Sequence, residues 1–256
     1  MRYFLELSYN GSSYNGWQRQ PGTSTVQGTL EKALSTLLRS DILVTGAGRT
    51  DTGVHAAYYV AHIDTFTEIP DPTDFLYHLN ALLPADIVVH TLVPVAATAH
   101  ARFDALEREY RYFVSATKTP FGRDLCWQYF VPLDLARMNE AAASLLEESD
   151  FTTFAKLHSG NRTNLCKVSK AEWNSPRKEL YVFTIRADRF LRNMVRAIVG
   201  TLIDVGRGKM TPEEFRDILR RRDLSLASGS APAHGLYLWD VTYSETTYKR
   251  HTPCHD

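Results

Sequence analysis

The sequence lacks several features that mark whole classes of proteins. None of its apolar runs approaches the roughly 18 residues that a membrane-spanning helix needs, and its start, MRYFLELSYN, does not resemble a secretory signal. Cysteine is scarce, since Cys126, Cys166 and Cys254 are the only three, lie far apart and form no C-x-x-C pair. An odd and scattered set of cysteines predicts a reduced, cytoplasmic protein without a disulfide framework.

Net charge is also lacking, because 29 basic residues balance 29 acidic ones in a chain of otherwise ordinary globular composition. The balance hides a gradient along the chain. Residues 61–100 contain five acids and no lysine or arginine, whereas residues 151–200 contain ten basic residues and three acids. A locally basic surface on a neutral protein suits a polyanion bound at one place, although a solvated charged face has the same composition.

The order of the predicted elements repeats along the chain. The predicted strands are 2–9, 41–46, 57–63, 86–93, 107–115, 164–174, 179–187 and 236–243, and the predicted helices are 26–37, 72–83, 133–148, 188–206 and 211–222. The order strand, helix, strand, strand, helix, strand therefore occurs twice, with helix 211–222 in addition. This predicts an α+β fold of two split β-α-β-β-α-β units with antiparallel sheets. Helices on one face of each sheet would leave the other face, or a groove between the units, for a large ligand.

The strongest candidate for chemistry is the segment GAGRTDTGVHA at 46–56. Its glycines allow tight turns and the close approach of another segment. Arg49 and Asp51 are two residues apart and would share one side of an extended segment, where a guanidinium keeps a carboxylate ionised and oriented. Such a carboxylate can act as a nucleophile or an acceptor, and an Asx turn with a local ion pair is the structural alternative.

The same segment does not fit better-known sites. No third glycine completes a dinucleotide fingerprint and no G-K-[ST] follows, so a nucleotide phosphate loop is not predicted. The tripeptide DTG at 51–53 is that of aspartic peptidases, but no second copy supplies the second carboxylate that this chemistry needs. A metal site has little support, because His251, Cys254 and His255 offer three ligands and no fourth at a useful spacing.

The segment HARFDALEREYRY at 100–112 could contact nucleic acid. On its predicted strand, Tyr110 and Tyr112 share one face. A tyrosine ring can stack on a base that has left its helix, and neighbouring arginines can hold phosphates. A half-buried strand with both tyrosines in a core is the structural alternative.

Two further groups could contact a polyanion. In the predicted helix 188–206, Arg189, Arg192 and Arg196 are spaced by three and four residues and line a face apart from the apolar stripe. That face either contacts phosphates or is a solvated surface. The cluster YNGWQRQ at 14–20 lies on a predicted loop, where binding residues tend to collect.

Taken together, these segments resemble the tRNA pseudouridine synthase A family over nearly the whole chain. The matching segments are GAGRTDTGVHA, HARF, REYRY, YNGSSYNGWQRQ at 9–20, TVQGTLEKAL at 25–34, LNALLPADI at 79–87, DFTTF at 150–154, FLRNMVRAIVGTL at 190–202 and APAHGLYL at 231–238. Two positions depart from the family pattern. Thr52 replaces the alanine of the usual GRTDAGVHA, and Glu109 stands where a basic residue is common.

The resemblance implies an architecture and a reaction. It implies two ferredoxin-like halves, 1–102 and 103–256, around a central basic cleft, together with a homodimer and no cofactor or metal. The implied reaction is the isomerisation of uridine to pseudouridine at positions thirty-eight, thirty-nine and forty of the tRNA anticodon stem-loop. An RNA-binding module without catalysis is the alternative, but it leaves the pairing of Arg49 with Asp51 unexplained.

The resemblance also implies roles for particular residues. By motif, Asp51 corresponds to the catalytic aspartate and Arg49 to its ion-pair partner, while Tyr110 corresponds to the base-stacking tyrosine. Arg196 and Leu236 match further active-site positions. Three actions of Asp51 stay open at this point: attack on C1′ of the ribose, attack on C6 of the base, and removal of a ribose proton.

Overall fold

The protein has an α+β fold in the computed structural model, which describes residues 1–156 and 162–251. Its strands are β1 (Arg2–Tyr9), β2 (Val44–Gly46), β3 (His55–Asp64), β4 (Ile87–Val95), β5 (Ala105–Ser115), β6 (Trp127–Gln128), β7 (Val168–Arg177), β8 (Leu180–Ala187) and β9 (Leu236–Tyr243). Its helices are α1 (Val26–Leu38), α2 (Pro72–Leu82), α3 (Leu135–Ala143), α4 (Met194–Gly206) and α5 (Pro212–Arg221). The predicted α+β class is therefore confirmed, and β6 is a short strand that the sequence patterns did not predict.

The chain divides into two compact units. Unit 1 comprises Met1–Glu107 and the chain from Leu238 onward, and unit 2 comprises Arg108–Tyr237. In unit 1 the strand order is β4-β1-β3-β9, β2 also pairs with β3, and β1 is antiparallel to both of its neighbours. In unit 2 the order is β5-β8-β7 with antiparallel pairing, and β6 runs parallel to β5. The halves 1–102 and 103–256 stay a prediction.

Three helices begin, within one residue of their predicted starts, at side chains that cap them. The Thr25 hydroxyl accepts from the N–H of Gly28 at the start of α1. The Asp71 carboxylate accepts from two N–H groups at the start of α2, where Pro72 occupies the first turn. Thr211 forms a capping box with Glu214 at the start of α5. These contacts satisfy donors that a helix leaves unpaired at its N terminus.

The fourth helix begins later than the predicted 188–206. Asn193 has a left-handed backbone, with φ of 65°, and α4 starts immediately after it. A residue in that conformation cannot continue a right-handed helix. Arg189 and Arg192 therefore precede the helix, and only Arg196 lies on it. The prediction of three arginines along one helical face is wrong.

A buried carboxylate ties the described end of the chain to β1 and β3. Glu6 is fully buried, and its Oε1 accepts hydrogen bonds of 2.8 Å from the hydroxyls of Tyr58 and Tyr248 and from the N–H of His251. The Arg250 guanidinium lies 3.8 Å from the centre of the Tyr58 ring. Three donors offset the cost of burying the carboxylate, so the segment that provides two of them is held against the sheet.

His62 on β3 is a buried histidine that stays neutral. Its Nδ1 accepts from the N–H of Ala101 at 3.2 Å, and its ring meets that of His100 edge to face at 4.8 Å. Burial, followed by the positive charge of Arg2, lowers the pKa of His62 from its ordinary 6.5 to about 4. The carboxylates of Asp64 and Asp104 oppose this shift without cancelling it.

We expect the protein to lose stability as the pH falls from about 6.5 to about 4, because the unfolded chain binds a proton that folded His62 does not. The contribution of His62 is on the order of 2–3 kcal/mol. His62→Gln keeps an acceptor for the backbone but does not titrate, so its melting temperature should fall less between pH 7 and pH 4.5. The matched control is His78→Gln, which changes an exposed histidine on α2. Equal falls for the parent and His62→Gln would contradict this assignment.

Two findings bear on the expectations about membranes and cysteines. Over residues 1–156 and 162–251, no helix is long and apolar enough to cross a bilayer. Cys126 is half-buried and Cys166 is buried, and both are free thiols. Cys254 and His255 lie outside the described residues.

Candidate active site

Asp51 lies on the loop between β2 and β3, at the start of a tight turn. The N–H of Val54 donates to the carbonyl of Asp51 at 3.1 Å, and Gly53 has a φ of 76°. A positive φ favours glycine, as the sequence pattern predicted. Asp51 itself is half-buried, between an exposed Thr52 and a buried Thr50. The turn therefore presents the carboxylate at the surface on a backbone with little freedom.

A second segment, the loop after β1, lies directly against the Asp51 loop. The N–H of Trp17 donates to the carbonyl of Thr50 at 3.2 Å, and the N–H of Gly53 donates to the carbonyl of Tyr14 at 3.3 Å. Gly16 is required between them, since a Cβ there would lie 2.4 Å from the Thr50 carbonyl oxygen. Close approach of another segment was predicted from the glycines, and these contacts confirm it.

The cluster YNGWQRQ at 14–20 divides into buried and exposed members. Tyr14 and Trp17 are buried, whereas residues 18–20 are exposed. The Tyr14 hydroxyl donates to Asp86 at 2.6 Å, and burial together with this bond raises its pKa, so it remains a neutral donor. The aromatic members thus support the loop, and the exposed polar members are the ones that a ligand can reach.

The pairing of Arg49 with Asp51 stays a prediction. Arg49 is exposed, and its side chain makes no ion pair within the part of the chain that the structure describes. An exposed guanidinium two residues from a carboxylate can pair with that carboxylate or can contact a phosphate.

Tyr110 lies on β5 and is half-buried. Its ring meets the ring of Phe190 edge to face, with centroids 5.0 Å apart. Tyr112 shares its face of the strand but is fully buried, and its hydroxyl donates to the carbonyl of Pro232 at 2.7 Å. The two tyrosines therefore differ, because Tyr112 is a core residue whereas part of the Tyr110 ring remains accessible.

Arg196 and Tyr112 hold the segment that leads to Leu236. The Nε of Arg196 donates to the carbonyl of Ala231 at 2.7 Å. Gly235 packs so tightly on the Tyr112 ring that a Cβ would lie 2.7 Å from its Cζ. Leu236 follows and is 5% exposed. Burial raises the pKa of Tyr112, and the positive charge of Arg196 opposes that rise.

Glu109 lies on the opposite face of β5 from Tyr110, because side chains alternate along a strand. It is 5% exposed and pairs with the guanidinium groups of Arg111 at 2.9 Å and Arg186 at 2.7 Å. The departure from the family pattern at this position therefore leaves the face of β5 that carries Tyr110 unchanged. The sequence alone did not indicate that Glu109 is buried between two arginines.

The structure groups the predicted site residues by unit. Asp51 and Arg49 belong to unit 1, whereas Tyr110, Arg196 and Leu236 belong to unit 2. Their meeting in one active site stays a prediction. Among residues 1–156 and 162–251, no three histidine, cysteine, aspartate or glutamate side chains form a group that could hold a metal ion.

Comparison with known proteins identifies the class. The profile of the tRNA pseudouridine synthase family matches residues 7–104 and 141–244, which include Asp51 and Arg196. The chain therefore belongs to the tRNA pseudouridine synthase family. Tyr110 falls between the two matched ranges.

Several relatives share the name tRNA pseudouridine synthase A. The relative from Bacteroides thetaiotaomicron is 51% identical over 98% of this chain and 94% of its own length. Those from Bacteroides fragilis and Bacillus subtilis are 49% and 42% identical, over 97% and 95% of this chain and 98% and 99% of their own lengths. A solved archaeal box H/ACA sRNP complex matches 77% of this chain and 45% of its own, with 11% identity and a TM-score of 0.30, too low to support an argument.

Proposed function

We propose that this protein is a tRNA pseudouridine synthase that isomerises uridine to pseudouridine at positions thirty-eight, thirty-nine and forty of the anticodon stem-loop. The observation that carries the proposal is a half-buried aspartate, Asp51, on a loop held at several points within the range that the family profile matches. The near full-length similarity to relatives named tRNA pseudouridine synthase A supports the same reaction and substrate.

The reaction makes specific demands on the protein. The N1–C1′ bond breaks, the uracil turns, a C5–C1′ bond forms, the C5 proton leaves, and N1 acquires a proton. No electrons are exchanged with another molecule, so the chemistry needs no redox cofactor. A carboxylate must act on the sugar or the base, and Asp51 is the proposed group. Its attack on C1′, its attack on C6 and its removal of a ribose proton are all compatible with its position on the loop.

The target base must also leave its stack and be held while it turns. An aromatic ring can hold a flipped base by stacking. Tyr110 is the proposed ring, because the residue is half-buried and its ring packs edge to face with Phe190. Arg49 is the proposed partner of the Asp51 carboxylate, and Arg196 and Leu236 are the proposed further contacts, held by the bonds of Arg196 to the preceding segment.

The architecture that we propose comprises two ferredoxin-like halves, 1–102 and 103–256, around a basic cleft that receives the tRNA. Each half would contain one repeat of strand, helix, strand, strand, helix, strand, which is the order of β1 to β4 and, apart from β6 and α5, of β5 to β9. A homodimer and a cytoplasmic location complete the proposal. The homodimer follows from the family resemblance, and the cytoplasmic location follows from the three scattered cysteines, which predict a reduced protein.

The alternative is an RNA-binding protein without catalysis. It would account for a basic segment and for a half-buried Tyr110, but not for a carboxylate held on a fixed loop. Incubation of the protein with tRNA carrying tritium at C5 of uridine separates the two. A synthase releases tritium to water as the C5 proton leaves, and a binder releases none, which would overturn the proposed function.

The arginines around the start of α4 should contribute to tRNA affinity. Arg192 is exposed, and its replacement by alanine should reduce the slope of log affinity against log salt by about one, because one phosphate contact is lost. Arg221→Ala, which removes an exposed arginine from α5, is the control and should leave the slope unchanged. Arg196→Ala should also lower turnover, since its Nε holds Ala231. Filter binding at several salt concentrations measures the slopes, and parental slopes for Arg192→Ala and Arg196→Ala would remove this segment from the interface.

A further inference from the structure

Three buried aromatic rings lie beneath the Asp51 loop. Tyr59 is fully buried, and its ring stacks on that of Trp17 with centroids 4.1 Å apart and planes inclined by 28°. Tyr9 contacts both rings, at 5.7 Å from Tyr59 and 6.0 Å from Trp17. The Tyr59 hydroxyl lies against the loop, since a Cβ on Gly46 would lie 2.1 Å from the hydroxyl oxygen.

Two tyrosine hydroxyls bond the loop on either side of Arg49. The Tyr59 hydroxyl donates to the carbonyl of Gly48 and accepts from the N–H of the same residue at 3.4 Å. The Tyr9 hydroxyl shares a hydrogen bond of 2.8 Å with the hydroxyl of Thr50. The backbone is thus restrained immediately before and immediately after Arg49, and the next residue after Thr50 is Asp51.

Packing does not restrain Gly48, so the hydrogen bonds of Tyr59 matter there. A Cβ placed on Gly48 would have no heavy atom within 4 Å, whereas one on Gly46 would collide with both Tyr59 and Trp17. Glycine has the widest backbone freedom of any residue. With open space around Gly48, the hydroxyl of Tyr59 is the contact that selects one of its conformations.

We propose that Tyr59 is a positioning residue for the reaction, and that its hydroxyl sets the direction in which the loop presents Arg49 and Asp51. This inference rests on the proposed function. We expect Tyr59 to affect the rate of the reaction and not the affinity for tRNA, because a misplacement of about 1 Å at a reacting group can lower the rate about 10²-fold. Affinity for tRNA depends mainly on phosphate contacts elsewhere on the surface.

The test removes one hydroxyl at a time from two adjacent tyrosines of β3. Tyr59→Phe keeps the ring and its stacking on Trp17 but loses both bonds to Gly48. Tyr58→Phe is the matched control, since Tyr58 is equally buried but its hydroxyl bonds Glu6 instead. We expect Tyr59→Phe to lower kcat about tenfold or more, with KM and melting temperature near those of the parent. Tyr58→Phe should lower the melting temperature and keep kcat.

Steady-state kinetics and melting temperatures, measured on the same preparations, test the positioning role of Tyr59. A parental kcat in Tyr59→Phe, with an active parent protein, overturns the positioning role and leaves the proposed function intact. Equal losses of kcat in both variants, in proportion to their losses of stability, also overturn it. An inactive parent protein overturns the proposed function itself, and the positioning role with it.

Discussion

Replacing Asp51 by asparagine should abolish measurable pseudouridine formation while tRNA affinity stays within about tenfold of the parent. The amide keeps the size of the carboxylate but has no charge with which to attack carbon or to remove a proton. The turn bond from the Val54 N–H to the carbonyl of residue 51 uses the backbone, which asparagine retains. Tritium release and filter binding on one tRNA transcript measure the two quantities.

A matched variant tests whether the loss of any carboxylate would lower the rate. Asp41→Asn removes an exposed carboxylate that precedes β2 and should leave both rate and affinity unchanged. Measurable turnover by purified Asp51→Asn would remove Asp51 from the chemistry. A loss of affinity as large as the loss of rate would instead make it a binding residue.

Tyr110 should prove essential for its ring and also for its hydroxyl. Tyr110→Leu removes both the stacking surface and the hydroxyl. The loss of stacking, worth roughly 1–3 kcal/mol, should by itself lower the single-turnover rate roughly 5- to 150-fold, and any loss from the missing hydroxyl adds to it. Tyr110→Phe retains the ring and its edge contact with Phe190. If the hydroxyl moves a proton at C5, as we expect, the phenylalanine variant should also slow by roughly 10²-fold or more.

The rates of the two Tyr110 variants distinguish stacking from proton transfer, and a variant of an exposed tyrosine provides the control. Tyr77 on α2 is 73% exposed, so Tyr77→Leu should turn over at the parental rate. A parental rate in Tyr110→Phe would restrict the role of Tyr110 to stacking. A parental rate in Tyr110→Leu would make it a structural residue like its neighbour Tyr112.

The sequence predicts those parts of the fold that depend on neighbouring residues. Helices α1 and α2 begin where Thr25 and Asp71 cap them, because a cap acts within three residues of itself. The strands β1 and β9 follow from alternation and begin and end at the predicted residues. The turn at Gly53 likewise follows from a glycine-rich segment of only a few residues.

The start of α4 and the supports of the Asp51 loop could not be predicted in the same way. Phe190 is in phase with the apolar stripe that continues at Met194, so the periodicity predicted a helix that includes Asn193. The left-handed backbone of Asn193 does not change the spacing of apolar residues, so periodicity could not reveal it. The Tyr9 hydroxyl shares a hydrogen bond with Thr50, which is 41 residues away in the sequence. A contact at that separation depends on the strand pairing and not on local sequence.

The buried carboxylate of Glu6 has a consequence for the order in which the polypeptide acquires its structure during translation. Unit 2 is continuous from Arg108 to Tyr237, so the ribosome completes it before it supplies the part of β9 that belongs to unit 1. Tyr248 and His251, which both donate to Glu6, are made later still. Until they emerge, a nascent unit 1 must leave that carboxylate in water or bury it with too few partners, at a cost of several kcal/mol. The first segment to be synthesised is therefore among the last to reach its final stability, and the middle of the chain is the part able to fold first.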